Sequence, residues 1–266
     1  MITLGIHDGH TATAAIARDG KIIACISEER IKRDKEVGGF PVEAIKRCLE
    51  ICNLEASDIK AVGIATMGEP TLHSSYNKPS ALKQIFGLSS YILPKSFLRS
   101  NLWVKSAQKI MHFFRKKNEH KVILRKLGIK SEIKYYDHHF LHAATAHFQC
   151  PWGNENNLVI TNDGSGDAVC ATVNIGKGNT LERIETISNY NSMGEFYSRI
   201  TQYLGMKPMS HEFKVMGLAP YAKPKYGLQT YELIKDWFKV IPPYKFENHS
   251  GFWKWQYIKG FDKIFR

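Results

Sequence analysis

Leu158-Val159-Ile160-Thr161-Asn162-Asp163-Gly164 is the stretch that decides the fold of this chain. Its apolar start predicts a buried strand, and its Asp-Gly end predicts a tight turn. Two further strands are predicted at residues 168–175 and 181–188, with a glycine-containing turn at 176–178 between them. These three strands predict an antiparallel meander.

The beginning of the chain repeats this plan. Strands are predicted at residues 2–7, 11–17 and 21–27, and the first of them runs into Asp8-Gly9. The elements predicted after this meander are a helix at 42–52, strands at 59–65 and 132–136, and a helix at 140–148. A duplicated meander constrains the fold more than any single motif does. It predicts an α/β fold, in which two ribonuclease-H-like halves face each other across a nucleotide cleft.

The two predicted halves differ in extent. Residues 1–155 form the first half, with a basic helical insertion at about 78–131, and residues 156–266 begin the second half. Two elements follow the second meander, a helix at 195–204 and a turn at 216–221. No clear alternation of strands and helices follows Leu233. The second half is therefore predicted to be incomplete and to end in an aromatic, basic tail.

The net charge of +12, from 37 Lys and Arg against 25 Asp and Glu, is unevenly distributed and high in the insertion. Its basic residues alternate with apolar residues at helical spacing, which predicts an amphipathic helical segment. A solvated helix face is the simplest interpretation, and an anionic membrane surface, nucleic acid or an acidic partner are the alternatives. Nucleic acid is not expected, because no RNA- or DNA-binding signature accompanies the charge.

The composition is that of a globular protein. At 266 residues, with 43% hydrophobic and 23% charged residues, the chain is long enough to bury a substantial core. No segment is apolar enough to predict a membrane span, and residues 1–4 lead into a strand without a cleavable leader. A cytoplasmic location is therefore expected. The five cysteines lack the partners of a zinc site and are expected to be mostly buried free thiols.

Asp137-His138-His139-Phe140-Leu141-His142 is the second informative stretch. If the residues after Asp137 are helical, His138 and His142 lie one turn apart on one face, where two imidazoles can bind one metal ion. Asp163 is a candidate third ligand, and its glycine-rich turn lets backbone amides approach phosphate. Each feature alone has a simpler explanation, a structural histidine pair or an ordinary turn. Their conjunction favours metal and phosphate chemistry in one locality.

Six blocks resemble, in the right order, the N-terminal part of the carbamoyltransferase family that includes nodulation and antibiotic-tailoring O-carbamoyltransferases. The family is related to the threonylcarbamoyl-transferring (Kae1-like) enzymes of tRNA modification. The resemblance covers Met1 to about Lys223. Its blocks are Gly5-Ile6-His7-Asp8-Gly9-His10 with the residues up to Ala15, Ser27-Glu28-Glu29-Arg30 with Arg33, Lys35 and Phe40-Pro41, His138-His139-Phe140-Leu141-His142-Ala143-Ala144, Asn162-Asp163-Gly164-Ser165-Gly166, Gly194-Glu195-Phe196-Tyr197, and the block from Glu212 to Ala219.

This resemblance implies an actin-like fold with an ATP site and a bound divalent metal, usually iron. It implies that carbamoyl phosphate and ATP give a carbamoyl adenylate, whose carbamoyl group passes to a hydroxyl of a small acceptor. By motif, His138, His142 and Asp163 match metal ligands. His10 matches a candidate base on the acceptor hydroxyl. Lys35 matches a basic residue near the carbamoyl phosphate, where a cation offsets the phosphate charge.

The resemblance also places Gly164-Ser165-Gly166 along the nucleotide phosphates, with Lys214 a weaker candidate for the same cleft. Two residues depart from the family pattern: Thr11 stands where aspartate is usual, and Phe213 stands where glycine is common. The family's chains are also much longer. A further aspartate ligand, and the C-terminal domain of the YrdC type in which the adenylate forms, are expected from a part that these residues do not include.

The leading hypothesis is an O-carbamoyltransferase N-terminal domain or fragment, which a complementing C-terminal part or partner chain completes. Its expected ligands are a divalent metal, Fe2+ above all, together with ATP, carbamoyl phosphate and a small hydroxyl acceptor. A non-catalytic nucleotide- or metal-binding module is one alternative, and a tRNA threonylcarbamoyl transferase-like protein is another. The sequence identifies neither the acceptor nor the metal, because two histidines and a carboxylate suit several divalent ions.

Overall fold

The computed structural model describes residues 1–68, 88–115, 117–152 and 155–265. These residues form two compact units. Unit 1 is built from the described residues of Met1–Ser80 and Gln108–Leu141, and unit 2 from those of Ala81–Ala107 and His142–Arg266. No helix among the described residues is long and apolar enough to cross a membrane.

Unit 1 is organised around a five-stranded sheet. Its strands are β1 (Ile2–His7), β2 (Thr13–Arg18), β3 (Lys21–Ser27), β4 (Ala61–Ala65) and β5 (Glu132–Tyr136). Their order is β3-β2-β1-β4-β5. The first three strands are antiparallel, whereas β4 runs parallel to β1 and β5 runs parallel to β4. This is the topology of a ribonuclease-H-like half, so the predicted α/β fold class is confirmed.

The core of unit 1 lies between this sheet and the amphipathic helix α2 (Val42–Cys52), which follows the short helix α1 (Glu28–Lys32). Leu4 and Ile6 of β1 are buried and pack with Ile45 and Cys48 of α2. These positions alternate along the strand and recur every three to four residues along the helix, as burial of one face of each requires. The predicted bounds of β1, β3, β5 and α2 are confirmed.

The described part of the basic insertion is largely helical, and residues 78–87 and 116 lie outside the described residues. Its helices are α3 (Lys95–Arg99), α4 (Asn101–Phe113) and α5 (Lys117–Lys126). The division between the units passes through α4. In unit 2, Leu98 and Trp103 are buried, and in unit 1, Leu124 joins the core of the sheet. The apolar stripes of these helices therefore pack within each unit.

Unit 2 contains the second predicted meander, which is confirmed. Its strands are β6 (Asn157–Gly166), β7 (Val169–Lys177) and β8 (Thr180–Ser188), and all pairings are antiparallel. The flanking helices are α6 (His138–Phe148), which belongs to unit 2 from His142 onward, α7 (Met193–Tyr203) and α8 (Glu212–Leu218). The pairing of β6 with β7 is interrupted between Asn162 and Gly166, so the Asp-Gly segment is a bulge within the strand.

Two predictions for the end of the chain are wrong. The segment predicted as a turn at 216–221 completes α8 and continues into a 3-10 turn at Ala219–Tyr221. Regular structure also continues beyond Leu233. It comprises α9 (Pro224–Ile234), β9 (Phe238–Ile241), β10 (Lys245–Asn248) and α10 (Gln256–Phe265).

The aromatic residues of the tail form a core, which explains why the tail folds. Trp253, Tyr257 and Phe261 are almost fully buried; Tyr257 and Phe261 lie one turn apart on one face of α10, and Trp253 precedes that helix. Phe196 of α7 packs against Tyr257 and Phe261 with ring centroids 5.4 Å and 5.8 Å away. The basic residues between these aromatics obscure the helical period in the sequence.

Candidate metal centre

Helix α6 fixes the spacing of the two candidate histidine ligands. Asp137 precedes the helix, and its carboxylate accepts a hydrogen bond of 2.7 Å from the amide of Phe140, which caps the first turn. His138 and His142 therefore lie one turn apart on the same face, as predicted. His139 is fully buried. The division between the units falls within this continuous helix, whose own geometry sets the relation between the two histidines.

The bulge of β6 supplies the carboxylate. The Nε2 atom of His142 lies 3.7 Å from the Oδ2 atom of Asp163. One ligand atom from each of His138, His142 and Asp163 can be chosen so that all three lie within 4.8 Å of one another. The structure thus brings together the three residues that the sequence singled out, and their role as metal ligands stays a prediction.

The donor set fits a divalent metal ion. Two imidazole nitrogens and one carboxylate oxygen are the ligands of zinc and of non-haem iron sites, which retain open positions. Ligands about 2.1 Å from one ion lie at most roughly 4.2 Å apart, so small side-chain rotations bring the three groups into range. His142 is 53% exposed and Asp163 41% exposed, which leaves one side of the group open to a substrate.

The glycine-rich bulge is held by the first turn of α7. The Ser192 hydroxyl donates to the Gly164 carbonyl at 2.6 Å and accepts from the Glu195 amide at 2.9 Å, so Ser192 caps the helix and binds the bulge. A Cβ atom on Gly194 would lie 2.9 Å from the Gly164 Cα atom. Only glycine at 194 allows this approach. The backbone amides at the start of a helix favour anions, which suits the predicted phosphate contact of Gly164-Ser165-Gly166.

Lys214 is placed on α8 with two neighbours from its own segment. Its ammonium lies 3.1 Å from the Nε2 atom of His211 and 5.9 Å from the ring centroid of Phe213. The side chain is exposed. These contacts do not test its predicted place beside the nucleotide.

In unit 1, the structure brings the segments of His10 and Lys35 together. The Gly39 amide donates to the Gly9 carbonyl at 3.1 Å, and the Ala12 amide donates to the Val37 carbonyl at 2.9 Å. The loop that carries Lys35 is thus joined to the turn on both sides of His10. His10 is half-buried, with its ring centroid 6.0 Å from that of His7, while Lys35 is exposed.

Comparison with known proteins identifies the family. The model described as "Carbamoyltransferase N-terminus" matches residues 2–258. The chain belongs to this carbamoyltransferase family. An uncharacterized protein of Synechocystis is 31% identical over 223 residues, covering 82% of this chain and 34% of that protein. Nodulation protein NolNO of Sinorhizobium fredii is 29% identical over 222 residues, covering 82% of this chain and 28% of that protein.

The predicted carbamoyltransferase family is therefore confirmed, and the chain spans about a third of the length of these relatives. Among solved structures, a ROK hexokinase from Thermus thermophilus is similar with a TM-score of 0.41 and 13% identity, over 88% of this chain and 75% of that chain. At this level the similarity adds nothing to the strand order described above.

This carbamoyltransferase-family chain contains a buried charged cluster that the sequence did not predict. Asp8, in the first Asp-Gly turn, is bound by Arg115 of the insertion, whose Nη2 atom lies 2.8 Å from both carboxylate oxygens. His120 lies 3.3 Å from the same carboxylate and 2.9 Å from the Tyr135 hydroxyl. Burial would raise the pKa of Asp8, but the hydrogen bond from His120 and the charge of Arg115 hold that pKa below its usual value.

Two charged side chains of this carbamoyltransferase-family chain, Arg115 and Glu28, are buried in unit 1. Arg115 belongs to the basic insertion, for which a solvated helix face was the simplest interpretation, but its side chain is buried against the turn that leads to His10. Glu28, from the Glu-Glu-Arg block, is also buried, and it accepts a 2.8 Å hydrogen bond from the Ala44 amide at the start of α2. Its carboxylate thereby stabilises the N-terminus of that helix. A contact between residues so distant in sequence leaves no local signal.

Proposed function

We propose that this chain is the N-terminal part of an O-carbamoyltransferase. In this reaction carbamoyl phosphate is hydrolysed to carbamate and phosphate, and the carbamate reacts with ATP to give carbamoyl adenylate and pyrophosphate. A hydroxyl of a small acceptor then attacks the carbamoyl carbon, which gives the carbamoylated acceptor and releases AMP. The observation that carries the proposal is the meeting of His138, His142 and Asp163 in a chain of the carbamoyltransferase family. Family membership supports transferase chemistry, and the donor set supports a metal-assisted form of it.

His138, His142 and Asp163 would hold a divalent ion, with Fe2+ expected. When bound, such an ion supplies a positive charge that polarises a carbamoyl or phosphate oxygen. The protein contributes the arrangement around it. Asp137 caps the helix that carries both imidazoles, and the bulge of β6 projects the carboxylate from the sheet. Because two of the three ligands are half exposed, a phosphate or carbamoyl oxygen can reach the group from solvent.

The proton of the acceptor hydroxyl is taken by a ring nitrogen of His10. A neutral imidazole accepts such a proton near neutral pH. The two backbone hydrogen bonds that flank His10, from Gly39 and from Ala12, fix the turn and limit the positions of the ring. Lys35 lies on the connected loop, where its exposed ammonium attracts the dianionic carbamoyl phosphate.

The ATP phosphates are bound by the amides of Gly164-Ser165-Gly166. The bulge removes Gly164 and Ser165 from regular pairing with β7, whereas Gly166 pairs with Val169 and the Gly164 amide donates to the Asp163 carboxylate at 2.6 Å. The capped start of α7 behind the bulge adds a favourable dipole. Lys214 is the weaker part of this assignment, because its described contacts lie within its own segment.

The complete reaction needs the part of the related carbamoyltransferase-family proteins that lies outside the third of their length matched by this chain. Adenylate formation is assigned to that part, either in a longer chain or in a partner chain. This chain alone is accordingly expected to bind ligands without completing the transfer.

The test is a reconstitution. The chain is co-expressed with the segment of nodulation protein NolNO that lies outside the matched stretch, and carbamoyl phosphate, ATP and a panel of sugars and other alcohols are added. Pyrophosphate release and acceptor mass are followed separately. We expect a carbamoylated acceptor, which disappears in His10→Ala and His142→Ala while pyrophosphate release persists in His10→Ala. Transfer that is unchanged in both variants, or no transfer to any acceptor, would contradict the proposal.

A further inference from the structure

Helix α4 of the basic insertion carries a row of large apolar side chains that face solvent. Leu102 is 63% exposed, Ile110 44% and Phe113 81%. At 3.6 residues per turn, Leu102 and Phe113 lie only about 20° apart around the helix axis, with Ile110 beside them. Val104 and Ala107, on the opposite side, are buried. Although the division between the units passes through α4, the helix is continuous, so its own geometry defines this apolar row.

Two lysines border the apolar row. Lys105 and Lys109 lie one turn apart on the exposed side of α4. Neither pairs with a carboxylate in the part of the chain that the structure describes. Residues 95–118 contain seven Lys and Arg but no Asp or Glu, and two of the seven, Arg99 and Arg115, pair with carboxylates within the fold. The charge of the two lysines is therefore available to an anion outside the chain.

This combination is typical of a helix that lies in a membrane surface. A single exposed apolar side chain is ordinary, but a row of them beside cations on one helix face is the pattern of interfacial helices. Their apolar side chains enter the boundary between lipid headgroups and acyl chains, while lysine stems extend along the apolar surface and hold the ammonium groups near lipid phosphates. With 13 residues, α4 is shorter than the roughly 20 residues needed to span a bilayer.

A nucleic acid fits the same face less well. Both ligands offer phosphates to the lysines, but proteins that bind single-stranded nucleic acid stack bases on aromatic rings. Leu102 and Ile110 are aliphatic and have no ring face on which a base can stack, whereas the apolar part of a bilayer accepts them. The chemistry of the apolar row therefore favours lipid.

We propose that α4 binds the surface of an anionic lipid bilayer, with the apolar row at the headgroup boundary and Lys105 and Lys109 beside the lipid phosphates. Phe114, which is 59% exposed and follows the helix directly, extends the apolar contact. The inference does not rest on the proposed function, because none of these residues belongs to the proposed metal or catalytic site.

Flotation with lipid vesicles is the test, and it uses the whole chain. Vesicles of phosphatidylcholine with about 30% phosphatidylglycerol are compared with vesicles of phosphatidylcholine alone. We expect the chain to float with the anionic vesicles and to bind the neutral ones at least about tenfold more weakly. Salt at about 0.5 M should weaken binding to the anionic vesicles, because it screens the charge of the lysines.

The lysines are tested by a double change. Lys105→Gln combined with Lys109→Gln should weaken binding to the anionic vesicles at least about tenfold. The matched control is Lys223→Gln combined with Lys225→Gln, which removes the same charge from two exposed lysines at the start of α9. This control should bind as the unchanged chain does.

The apolar row is tested by Phe113→Ala. This change should weaken binding about tenfold, because it removes the most exposed side chain of the apolar row. Phe148→Ala is its control, since Phe148 is 52% exposed and, like Phe113, is the last residue of its helix. Circular dichroism should show all four variants folded, because every replaced side chain is exposed.

Four results would overturn the proposal: no flotation with the anionic vesicles, equal binding to the neutral ones, unchanged binding by either the lysine double variant or Phe113→Ala, or an equal loss in the controls. A single-stranded RNA oligonucleotide is the second probe. Binding of this RNA that the lysine double variant abolishes, without binding to vesicles, would also overturn the proposal and assign the face to nucleic acid. No readout involves catalysis, so the outcome is independent of the carbamoyl-transfer reconstitution.

Discussion

The Asp8–Arg115 pair provides a quantitative test of how the insertion is attached to unit 1. The two side chains are 6% and 2% exposed, so solvent screens their interaction little. Replacing Arg115 by Met leaves the carboxylate buried, with His120 at 3.3 Å as its remaining described partner. Removing one member of a buried ion pair costs about 3–5 kcal/mol. Because His120 remains, we expect a loss near the lower limit, about 3 kcal/mol at pH 7.

The dependence of this loss on pH carries a definite sign. In the unchanged protein the pKa of Asp8 is below its usual value of 3.8, so its contribution to stability is present above that pH and is lost as the pH falls through the lowered pKa. Without the guanidinium, the pKa of Asp8 rises above its value in the unchanged protein, because His120 alone then opposes the effect of burial. The variant then relieves its buried charge by protonation, and its deficit relative to the unchanged protein should shrink between pH 7 and pH 4.

Urea unfolding followed by circular dichroism at both pH values measures the effect. Arg125→Met is the matched control, because Arg125 is an exposed arginine of the same insertion, and it should change the free energy of unfolding by less than about 0.5 kcal/mol. Asp8→Asn combined with Arg115→Met should lose less than the sum of the two single changes. A loss below about 1 kcal/mol for Arg115→Met, or a deficit that does not depend on pH, would refute the reasoning.

Three further predictions concern unit 2 and the cysteines. Gly194→Ala should lower the free energy of unfolding by about 1–3 kcal/mol in urea titration, because the added Cβ atom meets the Gly164 backbone. The control Gly217→Ala should not lower it, because the space around that Cβ atom is open. Equal effects of the two changes would contradict the close approach of Gly194 to Gly164. Phe261→Ala should cost about 3–5 kcal/mol in the same titration, and Phe265→Ala, at a 44% exposed position, clearly less; the reverse order would be inconsistent with the aromatic core. In the native protein a thiol reagent should modify the exposed Cys25 first, because burial raises the pKa of Cys48 to about 11 and also raises the pKa of Cys170. If mass spectrometry found Cys170 modified before Cys25, that result would contradict this burial pattern.

The meanders could be predicted from sequence because their signals are local. In β1 and β6, apolar residues alternate and an Asp-Gly pair follows, and both features act within a few residues. The helix after Asp137 is likewise specified by an N-cap residue and by histidines at helical spacing. Because a helix converts spacing into geometry, the convergence of His138 and His142 could be read directly. The family resemblance suggested that both histidines approach Asp163. The spacing of these residues along the sequence does not by itself show this approach.

The features that were missed depend on contacts between distant residues. Arg115 has the same local setting as its basic neighbours, and only the folded chain brings it to Asp8. The tail was misread for a related reason. Its strands β9 and β10 have four residues each, too few for a periodic signal, and the buried Asn248 is polar. That side chain is held by hydrogen bonds to the carbonyls of Phe252 and Tyr190, which the sequence does not reveal.

The metal content of the protein tests the central claim most directly. The chain, the variant His142→Ala and the control His249→Ala are purified without oxygen and analysed for transition metals. The control removes a 35% exposed histidine that also lies close to a carboxylate, that of Glu247. We predict about one metal ion per chain in the unchanged protein and in the control, and loss of the ion in His142→Ala. Equal metal content in all three proteins, or no bound metal in the unchanged chain, would contradict the assignment of His138, His142 and Asp163 as the metal centre.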